Sequence, residues 1–121
     1  MLIDDFILYR RKLNEIIDKH GNTQTKRFMN LDSEVYKDGA IDSRTKEMMG
    51  LVASMVLRCN DCINYHMIRC FQMGVKDEEF FELFNVALVV GGSIVIPHMR
   101  KAVDVLQELR EKERNGETIS L

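Results

Sequence analysis

Residues 59–66 read CNDCINYH. Two cysteines stand three apart, and His66 follows the second by four. Three chemistries use such a set: a redox pair, a metal site, or thiols packed in a helix core. The redox reading rests on local electrostatics. With Asn60 or Asp61 as the cap of a helix, Cys62 falls in the first turn. There the free N–H groups and the positive end of the dipole favour a thiolate. Cys59 then lies in the turn outside, and a CxxC pair so placed closes reversibly into a disulfide. The thiolate is the reactive form, so the cap favours Cys62 as the attacking sulfur. Accessibility counts as well and favours the outer Cys59, so the residues alone leave the order open.

His66 lies one turn beyond Cys62. An i,i+4 step turns ~40° and rises ~6 Å, so imidazole and sulfur share a face. A neutral histidine there can take a thiol proton and return it to a leaving group. Glu47 can join only if the chain reverses near residues 58–60 into a helical hairpin. In that register Glu47 and His66 are offset by ~7–8 Å along the axes, which calls for a water-bridged relay. Cys70, a further turn along the stripe, reads as a small buried hydrophobe.

The elements that must position these groups are helical. Proline occurs once, and the chain is 45% apolar and 30% charged, which fits one soluble globular domain over residues 1–121. A first helix runs to about His20, capped by Asp4 or Asp5 and stopped by Gly21 in the left-handed region, with Phe6, Leu13, Ile16 and Ile17 as its stripe. His20 suits that helix's C-terminal end. A second runs from about Thr23 to Lys37 with Phe28, Leu31 and Val35 inward. Asp42 or Ser43 caps a third, whose nearly encircling apolar residues imply deep burial. The fourth carries the cysteines and ends at Gly74. Asp77 caps a fifth, which stops at Gly91-Gly92. A last stretch from about Ser93 to Arg114 takes Pro97 in its first turn. The tail reads as polar and frayed. The expectation is an all-α fold of about six helices with a central helical hairpin.

Composition also excludes partners. A formal net charge of −2 offers no basic field for nucleic acid or an anionic membrane. MLIDDFILYRRKL lacks the pattern of a secretory signal, and runs such as Val86 to Val90 are too short to span a bilayer. The expected location is cytoplasmic, where a CxxC is catalytic or metal-binding more often than structural.

Residues Lys46-Glu47-Met48-Met49, the twelve-residue step from Glu47 to Cys59, the CNDCINYH motif, Gly74, the acidic run from Asp77 to Glu82 and Gly91-Gly92 stand in one register. Together they resemble the carboxymuconolactone decarboxylase superfamily, in its alkylhydroperoxidase D-like branch. The likeness spans roughly residues 28–110. It implies an all-α fold assembled into homotrimers or homohexamers, with no bound organic cofactor. It also implies a thiol-dependent hydroperoxide reductase. In that pattern Cys62 attacks the peroxide and becomes a sulfenic acid, and Cys59 resolves it to a disulfide. Glu47 and His66 relay protons through water to Cys59. The implied partners are a hydroperoxide or disulfide substrate and a dithiol protein reductant. One departure stands out: Asp61 occupies a position where the branch has histidine. A carboxylate there opposes thiolate formation. The decarboxylase that names the superfamily lacks the cysteine pair, so lactone decarboxylation is not implied.

Assembly has its own support in the apolar surplus of the last helices, Phe80, Phe81, Phe84, Val89, Val90, Ile94, Val95 and Ile96. Two rival readings stand beside the redox enzyme. One is a metal site from Cys59, Cys62, His66 and Cys70, or His98 in place of Cys70. Cys62 to Cys70 spans ~12 Å of helix, too far for one zinc, so His98 or another chain would have to join. His98, near a helix start, reads first as a surface or interface residue, with a pocket residue as the alternative. The other rival is a non-catalytic helical interaction protein with an incidental thiol pair.

Overall fold

The computed structural model describes residues 2–121. Six α-helices follow in order, with no strand among the described residues: α1 (Leu2–His20), α2 (Thr23–Val35), α3 (Ser43–Val56), α4 (Asn60–Gln72), α5 (Asp77–Gly91) and α6 (Ile96–Arg114). A short 3₁₀ turn, Ser93–Val95, leads into α6, and Pro97 takes its place in the first turn of that helix. The hairpin of α3 and α4 is the centre. α5 packs on α3, α6 on α4, and α1 touches both α4 and α6. Leu51, Met55, Ile63, Met67, Phe80 and Phe84 meet in the core, none more than 1% exposed. Burying each such side chain contributes ~1.5–3 kcal/mol, so this cluster is what fixes the hairpin.

Several local expectations give way to tertiary contacts. Asp4 and Asp5 do not cap α1. Glu108 of α6 does, accepting the Ile3 N–H at 3.1 Å, while Asp4 pairs with Lys112 at 2.8 Å. Gly21 is not left-handed; among the described residues only Arg58, Gly74, Gly92 and Gly116 have positive φ. A Cβ on Gly21 would lie 2.6 Å from the Ile17 carbonyl oxygen, so glycine is there for room rather than for φ. The caps of α4 and α5 fall one residue or more earlier than expected, at Cys59 and Lys76. The α3 cap is Asp42, which accepts from the Thr45 N–H at 2.8 Å.

The stripe on α2 does not face inward: Phe28, Leu31 and Val35 are 69%, 58% and 54% exposed. Ile16 and Ile17 of α1 are exposed with it. Periodicity identifies an apolar face but not its neighbour, and among the described residues this one is left exposed. The α3 helix is likewise buried on one face only, with Met49 and Leu57 open to solvent. Of the surplus in the last helices, Phe80, Phe84 and Val95 are buried, whereas Phe81, Val89, Val90 and Ile94 are exposed. The C-terminal tail is docked, not frayed. Ile119 and Leu121 pack on the core, and the Gln72 side-chain amide donates to the Ile119 carbonyl at 3.0 Å.

The turn between α3 and α4 is a Schellman motif. Cys59 N–H bonds to the Ser54 carbonyl at 3.0 Å and Arg58 N–H to that of Met55 at 3.1 Å. The left-handed residue is Arg58, with φ 61°, at the position glycine usually takes. Arg58→Gly removes the Cβ penalty but adds unfolded-state entropy, so stability should stay within ~1 kcal/mol. Arg58→Val, β-branched at the same φ, should lose ~1–3 kcal/mol in urea unfolding.

Candidate functional site

The Arg58 turn delivers Cys59 as the N-cap of α4. Its sulfur accepts the backbone N–H of Cys62 at 3.3 Å, so Cys59 itself does the work expected of Asn60 or Asp61. Cys59 and Cys62 are joined as a disulfide, their Cα atoms 5.2 Å apart. Cys62 is exposed and Cys59 half-buried, the reverse of the accessibility argued from the turn. The dipole and the exposure therefore both favour Cys62. Asp61, in the first turn beside it, is exposed and its charge is screened by solvent.

His66 and Glu47 meet directly. The imidazole Nδ1 lies 2.8 Å from Glu47 Oε2, with no water between them. The expected offset assumed a fold-back at residues 58–60. In fact α3 ends at Val56 and α4 begins at Asn60, which leaves Glu47 nine residues from one end and His66 six from the other. The residual offset is ~4.5 Å along the axes, within side-chain reach. Glu47 is 1% exposed and His66 8%. A buried carboxylate must be satisfied, and the Arg69 Nε reaches its other oxygen at 3.5 Å. Nδ1–H donates to the Glu47 carboxylate, so Nε2 is the basic nitrogen.

Four further residues shape the site. The Tyr36 hydroxyl lies 3.5 Å from His66 Nε2. Tyr65 meets the imidazole edge-on, and the Arg10 guanidinium lies 4.6 Å over the Tyr65 ring. Gly50 supplies the space: a Cβ there would sit 2.7 Å from His66 Cε1 and 2.8 Å from the Tyr36 oxygen. Burial first, then the charge of Glu47, push both tyrosine hydroxyls above their usual range, so both stay protonated. A cavity of about 370 Å³, lined among others by Phe6, Leu13, Tyr36 and Tyr65, opens onto both Cys62 and His66. A second, of about 400 Å³, reaches Glu47 between Arg10, Lys37 and Arg69.

Spacing alone missed Tyr36 and Gly50. Tyr36 sits 30 residues from His66 in sequence, with no motif to join them. Gly50 left a faint signal, since glycine inside an apolar helix weakens it and marks a close approach. Cys70 is fully buried and stands apart from the pair, as the small-hydrophobe reading has it. His98 is not beside the histidine–glutamate pair. Its Nδ1 lies 2.7 Å from the Asn60 side-chain oxygen, at the start of α4. Among the described residues, no three histidine, cysteine or acidic side chains converge as a metal-binding group.

The sequence pattern of the carboxymuconolactone decarboxylase family matches residues 25–107. A protein of the cox locus of Paracoccus denitrificans, itself uncharacterised, is 32% identical over 82 residues, covering 68% of this chain and 74% of its own. A crystal structure of a carboxymuconolactone decarboxylase family protein from Thermotoga maritima superposes with a TM-score of 0.92 at 63% identity, over 97% of this chain and 99% of that one. A part in the antioxidative response has been suggested for that protein. A family member from Legionella pneumophila has a TM-score of 0.81 over 88% of this chain and 96% of its own, but at 21% identity it shares the fold alone.

Two outcomes follow from the packing. Gly→Ala in a helix normally stabilises by ~1 kcal/mol. Gly50→Ala should instead lower the urea midpoint, because the clash with His66 and Tyr36 costs ~1–3 kcal/mol. Burial pushes the Cys70 thiol from 9.0 up to about 12, so the native thiol should resist iodoacetamide at pH 8 and react once unfolded. The unfolded thiol loses its proton first, so this group makes stability fall as pH rises from 9.0 to about 12. A flat alkaline stability profile would contradict that.

Proposed function

The chain belongs to the carboxymuconolactone decarboxylase family, and on that premise we propose that it is a thiol-dependent hydroperoxide reductase cycling Cys59 and Cys62 between dithiol and disulfide. What carries the reading is one juxtaposition. A solvent-facing Cys62, disulfide-bonded to Cys59, opens into the same cavity as a histidine held by a buried glutamate. The antioxidative role suggested for the Thermotoga maritima relative agrees with it.

The chemistry runs in three steps. His66 Nε2 takes a thiol proton of the reduced pair, and Glu47 holds the resulting imidazolium. The Cys62 thiolate attacks the peroxide oxygen: an S–O bond forms, the O–O bond breaks, and His66 returns the proton to the departing alkoxide as alcohol. The Cys59 sulfur, ionised by loss of its own proton to the same base, attacks the sulfenic acid. An S–S bond forms and hydroxide leaves as water with that proton. A dithiol protein then reduces the disulfide by exchange, supplying the two electrons the peroxide consumed. The positioned acid–base pair accounts for ~10²–10⁴ of the rate.

The remaining expectations enter on the same footing. A reducing, cytoplasmic setting keeps the pair available as dithiol. Among the described residues, no helix is long and apolar enough to cross a membrane. Exposed Phe28, Leu31, Phe81, Val89 and Val90 suit a homotrimer or homohexamer.

The test starts from reduced protein exposed to one equivalent of cumene hydroperoxide, then unfolded, alkylated and mapped by mass. The expected result is a Cys59–Cys62 disulfide with Cys70 alkylated. Glu47→Gln and His66→Asn should each slow its formation ~10²-fold or more. Three alkylated cysteines after exposure would remove the peroxidase reading.

A further inference from the structure

We infer that Tyr36 is a positioning residue of the proton relay, one that hydrogen-bonds His66 Nε2 in both of its protonation states beside the Cys62 cavity. The inference rests on the thiol-redox reading above and adds a residue to it.

Glu47 occupies Nδ1, so all exchange with the thiols must pass through Nε2. The polar atom facing Nε2 is the Tyr36 hydroxyl, at 3.5 Å. That distance is the long end of a hydrogen bond. The hydroxyl is held there by three features. Tyr36 follows the last residue of α2, and the Lys46 ammonium donates to the carbonyls on either side of it, Val35 at 2.8 Å and Lys37 at 2.7 Å. Gly50 lets phenol and imidazole meet above its Cα, where any side chain would lie 2.8 Å from one and 2.9 Å from the Nε2 of the other. Tyr36 also lines the cavity that Cys62 opens, so the same oxygen borders the relay and the thiol.

A phenol is both donor and acceptor. It donates to the lone pair of neutral His66. When a thiol proton moves to Nε2, the S–H bond breaks, an N–H bond forms, and the hydroxyl turns to accept it. The imidazolium is then hydrogen-bonded at both nitrogens, and the bond from the charged ring is the stronger of the two states. The other charged or titratable groups around it are Glu47 of α3, Tyr65 and Arg69 of α4, and Arg10 of α1 over Tyr65. Asp32 and Asp61 border the cavity. All of them remain in a Tyr36→Phe variant, so a change on that substitution reports the hydroxyl alone.

The experiment is a ¹⁵N NMR titration of His66 in the disulfide form of wild type and Tyr36→Phe, which needs no turnover. Loss of the acceptor should lower the His66 midpoint by about one pH unit. The Nδ1–H tautomer, set by Glu47, should persist. The acid limb of disulfide formation with cumene hydroperoxide should move the same way. An unmoved midpoint in a folded Tyr36→Phe protein overturns the inference. A shifted midpoint with no peroxide reduction in either protein leaves Tyr36 in its role and overturns the peroxidase reading instead.

Discussion

A carboxylate and an imidazole, both withdrawn from water, hold the centre of this protein together. Glu47 and His66 bridge α3 and α4 at 2.8 Å in the middle of an apolar hairpin. Each alone would be costly to bury, and truncating one partner of such a pair costs far more than the pair contributes. The surroundings answer that cost atom by atom. Arg69 reaches the second carboxylate oxygen, Tyr36 faces the second ring nitrogen, and Gly50 withdraws its side chain so that the ring fits. No buried side-chain nitrogen or oxygen among the described residues lacks a partner. A pair of this kind specifies the register of the two helices, because a shift of one residue in either would strand a charge.

The turn that closes the hairpin joins this buried pair to the surface. Arg58 takes a left-handed backbone at the end of α3, and the next residue is already the cap of α4. The reversal therefore has no slack. It sets Cys59 and Cys62 at the positive end of a helix whose second turn carries His66, so the disulfide and the imidazole are placed by one element. His98 adds a hold on this end of α4 through Asn60. Cys70, two turns from Cys62 on the same helix, has the opposite environment. Burial raises its thiol to about 12, so it stays protonated near neutral pH. One helix thus carries an exposed cysteine and an inert one, distinguished only by depth.

Much of the apolar surface of a single chain remains open. Phe28, Leu31 and Val35 line α2, and Met49, Leu57, Val86 and Val90 border a groove between α3 and α5. The groove is formed by the outer faces of the helices whose inner faces make the core. Helices that are apolar on nearly every side gain stability from a neighbour on each, and one chain of this length supplies neighbours on one side only.

Helix existence, the hairpin and the placing of Cys59, Cys62 and His66 along one helix and its cap are legible because they depend on local rules. Apolar spacing, glycine at helix ends and an i,i+4 step need no knowledge of distant segments. Caps were partly legible: Asp42 caps its own helix, but α1 is capped by Glu108, 105 residues away. The apolar face of α2 points to solvent rather than inward, because a stripe states that a face is apolar, not that anything covers it. The direct Glu47–His66 bond, the Tyr36 contact and the room at Gly50 belonged to the tertiary structure alone. They depend on where one helix ends and how the next crosses it, and a few ångströms there separate a water bridge from a hydrogen bond. Sequence by itself determined which groups could react. Only the packing of α3 against α4 decided which of them touch, because contact distance is set by the whole core and not by spacing along the chain.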